Sequence, residues 1–187
     1  MKIGYLVEGS TDRAVVVGLQ RQLCPGAELV EGHFRGGLKG VGRRRELPKA
    51  CLELRAKGVE AIVDLNDANE LAWHKRRDQE RDWTPEEYRP IVAFGAPQPN
   101  INMWLIADAN HFERATREAC RPRPNDPKPL TERAFGVTGV EKREAEIADF
   151  VAAADLTVWE REDNSFGGFM EECRRVAQVV GCGLQAR

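Results

Sequence analysis

Histidine is nearly missing from this chain. His33, His74 and His111 are the three in 187 residues, and none is spaced with another metal-binding side chain. The cysteines (Cys24, Cys51, Cys120, Cys173, Cys182) lie far apart, with no CxxC pair and no Cys/His cluster. That argues against a zinc site or a disulfide scaffold, and for reduced thiols in a cytoplasmic location. No apolar run approaches the roughly 20 residues of a membrane span, so no membrane partner is expected. The chain enters an apolar run at once, without the core or cleavage pattern of a signal peptide. A net charge of −2 gives no global positive field, so any nucleic-acid binding has to come from local patches. No phosphate-binding fingerprint follows the first strand-like run. This disfavours a nucleotide-binding Rossmann-like protein.

What is present alternates. Short apolar runs at Lys2–Val7, Ala27–Val30, Val59–Val63 and Ile91–Phe94 read as buried strands. Between them lie helix-like stretches from Asp12, from Leu47 to Lys57 and from Ala68 to Asp82. Ser10 or Thr11 is a natural cap for the first helix. Ile101–Asp108 reads as an apolar helix, and the proline-rich Arg121–Pro129 as a crossover. Two amphipathic helices follow, near Lys142–Ala154 and Phe166–Val180. This order predicts an α/β fold: a three-layer, Rossmann-like domain with a mainly parallel sheet of about four strands and a helical C-terminal part. The core is assigned to residues 1–120, and residues 121–187 to a helical extension packed on it.

Three polar signals fall where strands end. Glu8 follows the first strand, Asp64, Asn66 and Asp67 follow the third, and Asn102 follows the fourth. In open α/β sheets that rim is where ligands bind. Hard oxygen donors there suit Mg²⁺ or Mn²⁺, although acids after strands also serve as turn formers and caps. The glycine-rich run Phe34–Arg45, with Arg35, Lys39, Arg43, Arg44 and Arg45, reads as a basic loop able to meet phosphates, or as a solvated surface loop. Lys75, Arg76 and Arg77 sit among Asp78, Glu80, Arg81 and Asp82 and read as a solvated helix face.

The pattern LVEGSTD followed by IVDLND resembles the TOPRIM domain of primases, topoisomerases and OLD-type nucleases. FRGGLKG, NINMWLIAD, DPKPLTERAF, VEKREAEIADFV and NSFGGFMEEC extend the resemblance toward a small branch near the OLD nucleases, over nearly the whole chain. The resemblance implies a divalent-metal-dependent phosphodiester hydrolase acting on nucleic acid, DNA before RNA, in defence against mobile DNA. Glu8, Asp64 and Lys39 become catalytic candidates. Glu8, Asp64, Asn66, Asp67 and Asn102 become candidate ligands for Mg²⁺ or Mn²⁺. Arg35, Lys39, Arg43, Arg44 and Arg45 become candidate nucleic-acid contacts. A separately encoded ATPase is an implied partner. The chain departs from the family pattern where Asn66 replaces the second acid of Asp-x-Asp, and where Asn102 replaces a glutamate of the branch. An amide carbonyl can coordinate a metal, but it brings no charge and cannot act as a base. The alternative implied is therefore a degenerate module that binds nucleic acid or a partner without cutting.

Overall fold

The computed structural model describes residues 1–34, 40–136 and 139–183. A parallel sheet of four strands forms its centre: β1 (Lys2–Leu6), β2 (Glu28–Glu31), β3 (Ala61–Leu65) and β4 (Val92–Gly95), in the order β2-β1-β3-β4. Ile3 pairs with Leu29 on one side and with Ala61 on the other, and Asp64 pairs with Phe94. The chain runs from β1 outward to β2 through α1 (Ser10–Leu23), then crosses back over β1 to β3 through α2 (Gly40–Ala56). The strand order therefore reverses between β1 and β3, and in sheets of this kind the crevice at that point takes the ligand.

Alternation along the strands divides the core in two. Tyr5, Ala61, Leu65 and Ala93 join a large cluster with α1 and the C-terminal helices. Leu6, Ile62, Val92 and Phe94 join a smaller one with Leu47, Ala50 and Leu54 of α2. The period-two pattern of a strand buried on both faces accounts for the split. After β3 come α3 (Trp73–Trp83), a short 3₁₀ turn, β4, α4 (Asn102–Leu105) and α5 (Ala109–Thr116). Then follow α6 (Lys128–Phe135), α7 (Val140–Ala152), α8 (Leu156–Glu162) and α9 (Asn164–Val180). Residues beyond 121 share the main core: Ile147, Val151, Trp159, Phe166 and Phe169 pack with Val15, Leu19 and Trp104. Helix α7 lies so close to α1 that a β-carbon on Gly18 would come within 2.5 Å of Val151 Cβ. The Arg175 guanidinium, on α9, donates to the carbonyls of Arg89, Pro90 and Val92 along the outer edge of β4.

Several boundaries differ from the sequence expectation. Helix α2 begins at Gly40, so the Gly42–Arg45 stretch is helical and Pro48 lies inside the helix. A glycine-rich run hides a helix start, because glycine lowers propensity without forbidding the conformation. The stretch Ile101–Asp108 divides into the short α4 and a separate α5, which Asp108 caps by accepting from the His111 amide at 3.0 Å. Helices α6 and α8 are too short to have shown a clear period. Gly9, not a hydroxyl residue, sits at the cap position of α1, with no side-chain cap bond.

Candidate functional site

The carboxyl ends of β1 and β3 carry an acidic group of three residues from two stretches of chain. Glu8, half-buried, lies in the turn from β1 to α1. Asp12 follows it by four residues, in the first turn of α1, and is only 8% exposed. Its carboxylate accepts from the Gly9 backbone N–H, reaching back as the third-position acid of a capping box does. Burial, then the carboxylates of Asp67 and Glu8, push Asp12 from its ordinary 3.8 to about 7. Like charges are thus held together in a poorly solvated place, an arrangement concentrated at functional sites. Asp12 was not among the site residues read from sequence. An acid in a helix's first turn is common, and its spacing from Glu8 was the available signal.

Asp67 anchors a second part of the rim. Its Oδ1 accepts from the Ile101 amide at 2.9 Å, linking the loop after β3 to the loop after β4. Backbone bonds from Ala68 N to Pro97 O and from Asn69 N to Pro99 O, both 2.8 Å, keep the loops side by side.

Asp64 lies differently from its sequence placement. It is the fourth residue of β3, fully buried, and faces α2 rather than the rim. There Arg43 Nη2 donates to Asp64 Oδ1, and Arg43 Nε donates to Glu80 Oε2 at 2.8 Å. Asn66 Nδ2 completes the network by donating to Glu80 Oε1. The Arg43 guanidinium also covers the Phe34 ring, 4.5 Å from its centroid. Burial, with Glu80 and Glu8 nearby, raises the Asp64 pKa against the opposing pull of Arg43. Burial opposes the charge on Arg43, but Asp64 and Glu80 outweigh it and raise its pKa. Among the described residues, Asp64 Oδ2 and Arg43 Nη1 are buried with no hydrogen-bond partner.

Two sequence readings are corrected here. Arg43 is not a surface contact for nucleic acid: its side chain is 0% exposed, because one guanidinium is needed to neutralise two buried carboxylates. Glu80 is not on a solvated helix face, being 1% exposed. The amide at position 66 also gains a reason. An aspartate there would set a carboxylate against Glu80, whereas Asn66 brings the donor that Glu80 requires.

The remaining candidates fall apart spatially. Asn102 Oδ1 faces the Thr131 hydroxyl at 2.6 Å, and its Nδ2 donates to Asn100 at 3.0 Å, so this amide ties α4 to α6. Arg44 and Arg45 are exposed on α2, and Arg45 pairs with Glu46 at 3.2 Å. Arg35 and Lys39 lie outside the described residues.

Among the described residues, no three His, Cys, Asp or Glu side chains converge as a ready-made metal cage. A Mg²⁺-type ion needs less, since one or two carboxylates suffice when water and phosphate oxygens complete its octahedron. The pair Glu8 and Asp12 supplies that number of carboxylates, with the Asp67 charge near enough to act on Asp12. Burial is the larger reason that Asp12 holds its proton, and the repulsion from Asp67 and Glu8 that adds to it is what a divalent cation would relieve. No helix among the described residues is long and apolar enough to cross a membrane. Comparison with known protein families, curated proteins and solved structures returned no match.

Proposed function

We propose that this chain is a divalent-cation-dependent phosphodiester hydrolase acting on nucleic acid, with DNA the first substrate to try. The observation that carries the reading is the Glu8, Asp12 and Asp67 group at the reversal of strand order, where burial first and the neighbouring carboxylates second raise Asp12 to about 7. Glu8 and Asp12 would hold Mg²⁺ or Mn²⁺, with water and phosphate oxygens as the remaining ligands. Such an ion supplies Lewis acidity toward water and a phosphoryl oxygen.

The chain's own residues supply the rest. Glu8, half-buried at the end of β1, is placed to accept a proton from an attacking water. Arg44 and Arg45, exposed on the first turns of α2, offer charge to a phosphate backbone. Asp64, Arg43, Glu80 and Asn66 act by position: their bonds clamp β3 to α2 and α3, fixing the turn that carries Asp67.

One observation favours a second reading. Arg43 already neutralises Asp64, the acid that matches the family aspartate, so a guanidinium stands where cation charge would otherwise be needed. A module with that internal cation would bind nucleic acid or a partner ATPase without cutting. Cleavage of plasmid and single-stranded DNA with Mg²⁺ or Mn²⁺ separates the two. Hydrolysis by the wild type, lost in Glu8→Gln and Asp12→Asn, supports the enzyme. DNA binding without cleavage supports the module. Equal cutting by wild type and both variants sinks the assigned site.

A further inference from the structure

Helices α1 and α9 pack on the same face of the sheet, with a cleft of about 70 Å³ between them, lined by Leu19, Leu23, Phe169, Val176 and Val180. Two thiols stand at one end of it. Cys24 ends α1, its N–H bonded to Gln20 O at 2.9 Å. The Gln20 side chain in turn donates to Cys24 O at 2.9 Å and to Ala27 O at 3.2 Å. Cys182 follows Gly181, whose left-handed φ of 71° closes α9, and its N–H bonds Ala177 O at 3.0 Å. That six-to-one bond is the Schellman pattern of a helix end. Each cysteine is therefore placed by its own helix terminus, not by a loose loop. Their sulfurs lie 3.2 Å apart across 158 residues of sequence.

We infer that Cys24 and Cys182 form a reversible intramolecular disulfide that staples the end of α9 to the end of α1 over the mouth of this cleft. A disulfide bond is about 2.05 Å long, so closure asks each side chain for only a fraction of an ångström, within small torsional adjustments. Both cysteines are partly exposed, so a small reagent reaches them. The oxidant is a low-molecular-weight disulfide such as oxidised glutathione. One cysteine thiolate attacks it and releases one glutathione thiolate. The second cysteine then displaces the other glutathione. One S–S bond breaks and one forms, and the two protons lost from Cys24 and Cys182 end on two molecules of reduced glutathione. Burial and the neighbouring Cys182 push the Cys24 thiol up to about 12, so closure accelerates as pH rises. Cys173 lines the same cleft, but burial pushes its thiol up still further and leaves it a bystander.

The test uses the full chain, incubated with oxidised glutathione at pH 8.5 and mapped by non-reducing peptide mass spectrometry. The expected product has lost two hydrogens, contains a peptide joining Cys24 to Cys182, and reverts with a dithiol. Its Tm rises on the order of 10 °C, because a crosslink closing so long a loop strongly restricts the unfolded chain. Cys182→Ser loses the link and the shift, whereas Cys120→Ser keeps both. Persistent glutathione adducts without a link, pairing through Cys173, or an unchanged Tm in the linked wild type would overturn the inference.

Discussion

Asp12→Asn replaces a buried carboxyl by its neutral isostere, and the structure gives the size and sign of the result. The folded-state pKa of Asp12 is raised from 3.8 to about 7. Between those values the folded chain keeps a proton that the unfolded chain has released. Stability therefore falls as pH rises through this window and levels off above about 7. At about 1.4 kcal/mol per pH unit, holding Asp12 charged costs about 4 kcal/mol at pH 8. Asparagine removes that cost. Its carbonyl still accepts from the Gly9 amide but loses the charge assistance, a loss of about 1 kcal/mol. The expected gain at pH 8 is about 3 kcal/mol, or roughly 6–12 °C in Tm for a chain of this size. The gain shrinks toward zero near pH 4. Urea titrations of both proteins from pH 4 to 8.5, without divalent cations, measure it. A variant equally stable or less stable than wild type at pH 8, or a difference that does not change with pH, would refute the reasoning. In the proposed enzyme the same substitution abolishes stabilisation by Mn²⁺, trading function for stability in the usual direction.

Asn66→Asp removes the donor to Glu80 and sets two carboxylates against each other in a buried site. It is expected to cost about 3 kcal/mol at pH 8 and much less at pH 5, where one carboxyl takes a proton and donates in place of the amide. Denaturation at the two pH values checks this, and equal stability with wild type at pH 8 contradicts it. Gly18→Ala would normally help a helix by up to about 1 kcal/mol. Here the new methyl meets the Ala148 carbonyl at 2.7 Å as well as Val151, so a net loss of about 1–3 kcal/mol is expected in the same assay. A stabilised variant would show that α1 and α7 do not pack this closely.

The sheet was legible because its strands are short, apolar and buried on both faces, so β1 and β3 stand out against charged surroundings. The strand ends alone pointed to Glu8 and Asp67 as candidates on the rim. Its chemistry did not follow, for two physical reasons. Arg43 and Glu80 sit in charged runs, and nothing local distinguishes the one arginine of Arg43–Arg45, or the one acid among Asp78, Glu80 and Asp82, that the fold turns inward. Asp12 was masked by ambiguity, since an acid in a first helical turn satisfies the backbone whether or not it does anything else. The proximity of Cys24 and Cys182 depends on two helix ends meeting on one sheet face, information held in the topology and not in either neighbourhood.

The grip of Arg175 on β4 bears on how this molecule behaves in a crowd. An outer strand offers a row of unpaired carbonyl and amide groups, a template on which a foreign strand can add. Arg175 fills part of that row, bonding the Val92 carbonyl at 2.6 Å and the two carbonyls that precede the strand. Glu172, 2.8 Å away on the next turn of α9, holds the guanidinium in place. A single side chain from the last helix thus occupies the start of this border, where a further strand would otherwise begin to pair. The covering of this edge is in this sense written into α9, far in sequence from the strand that it protects.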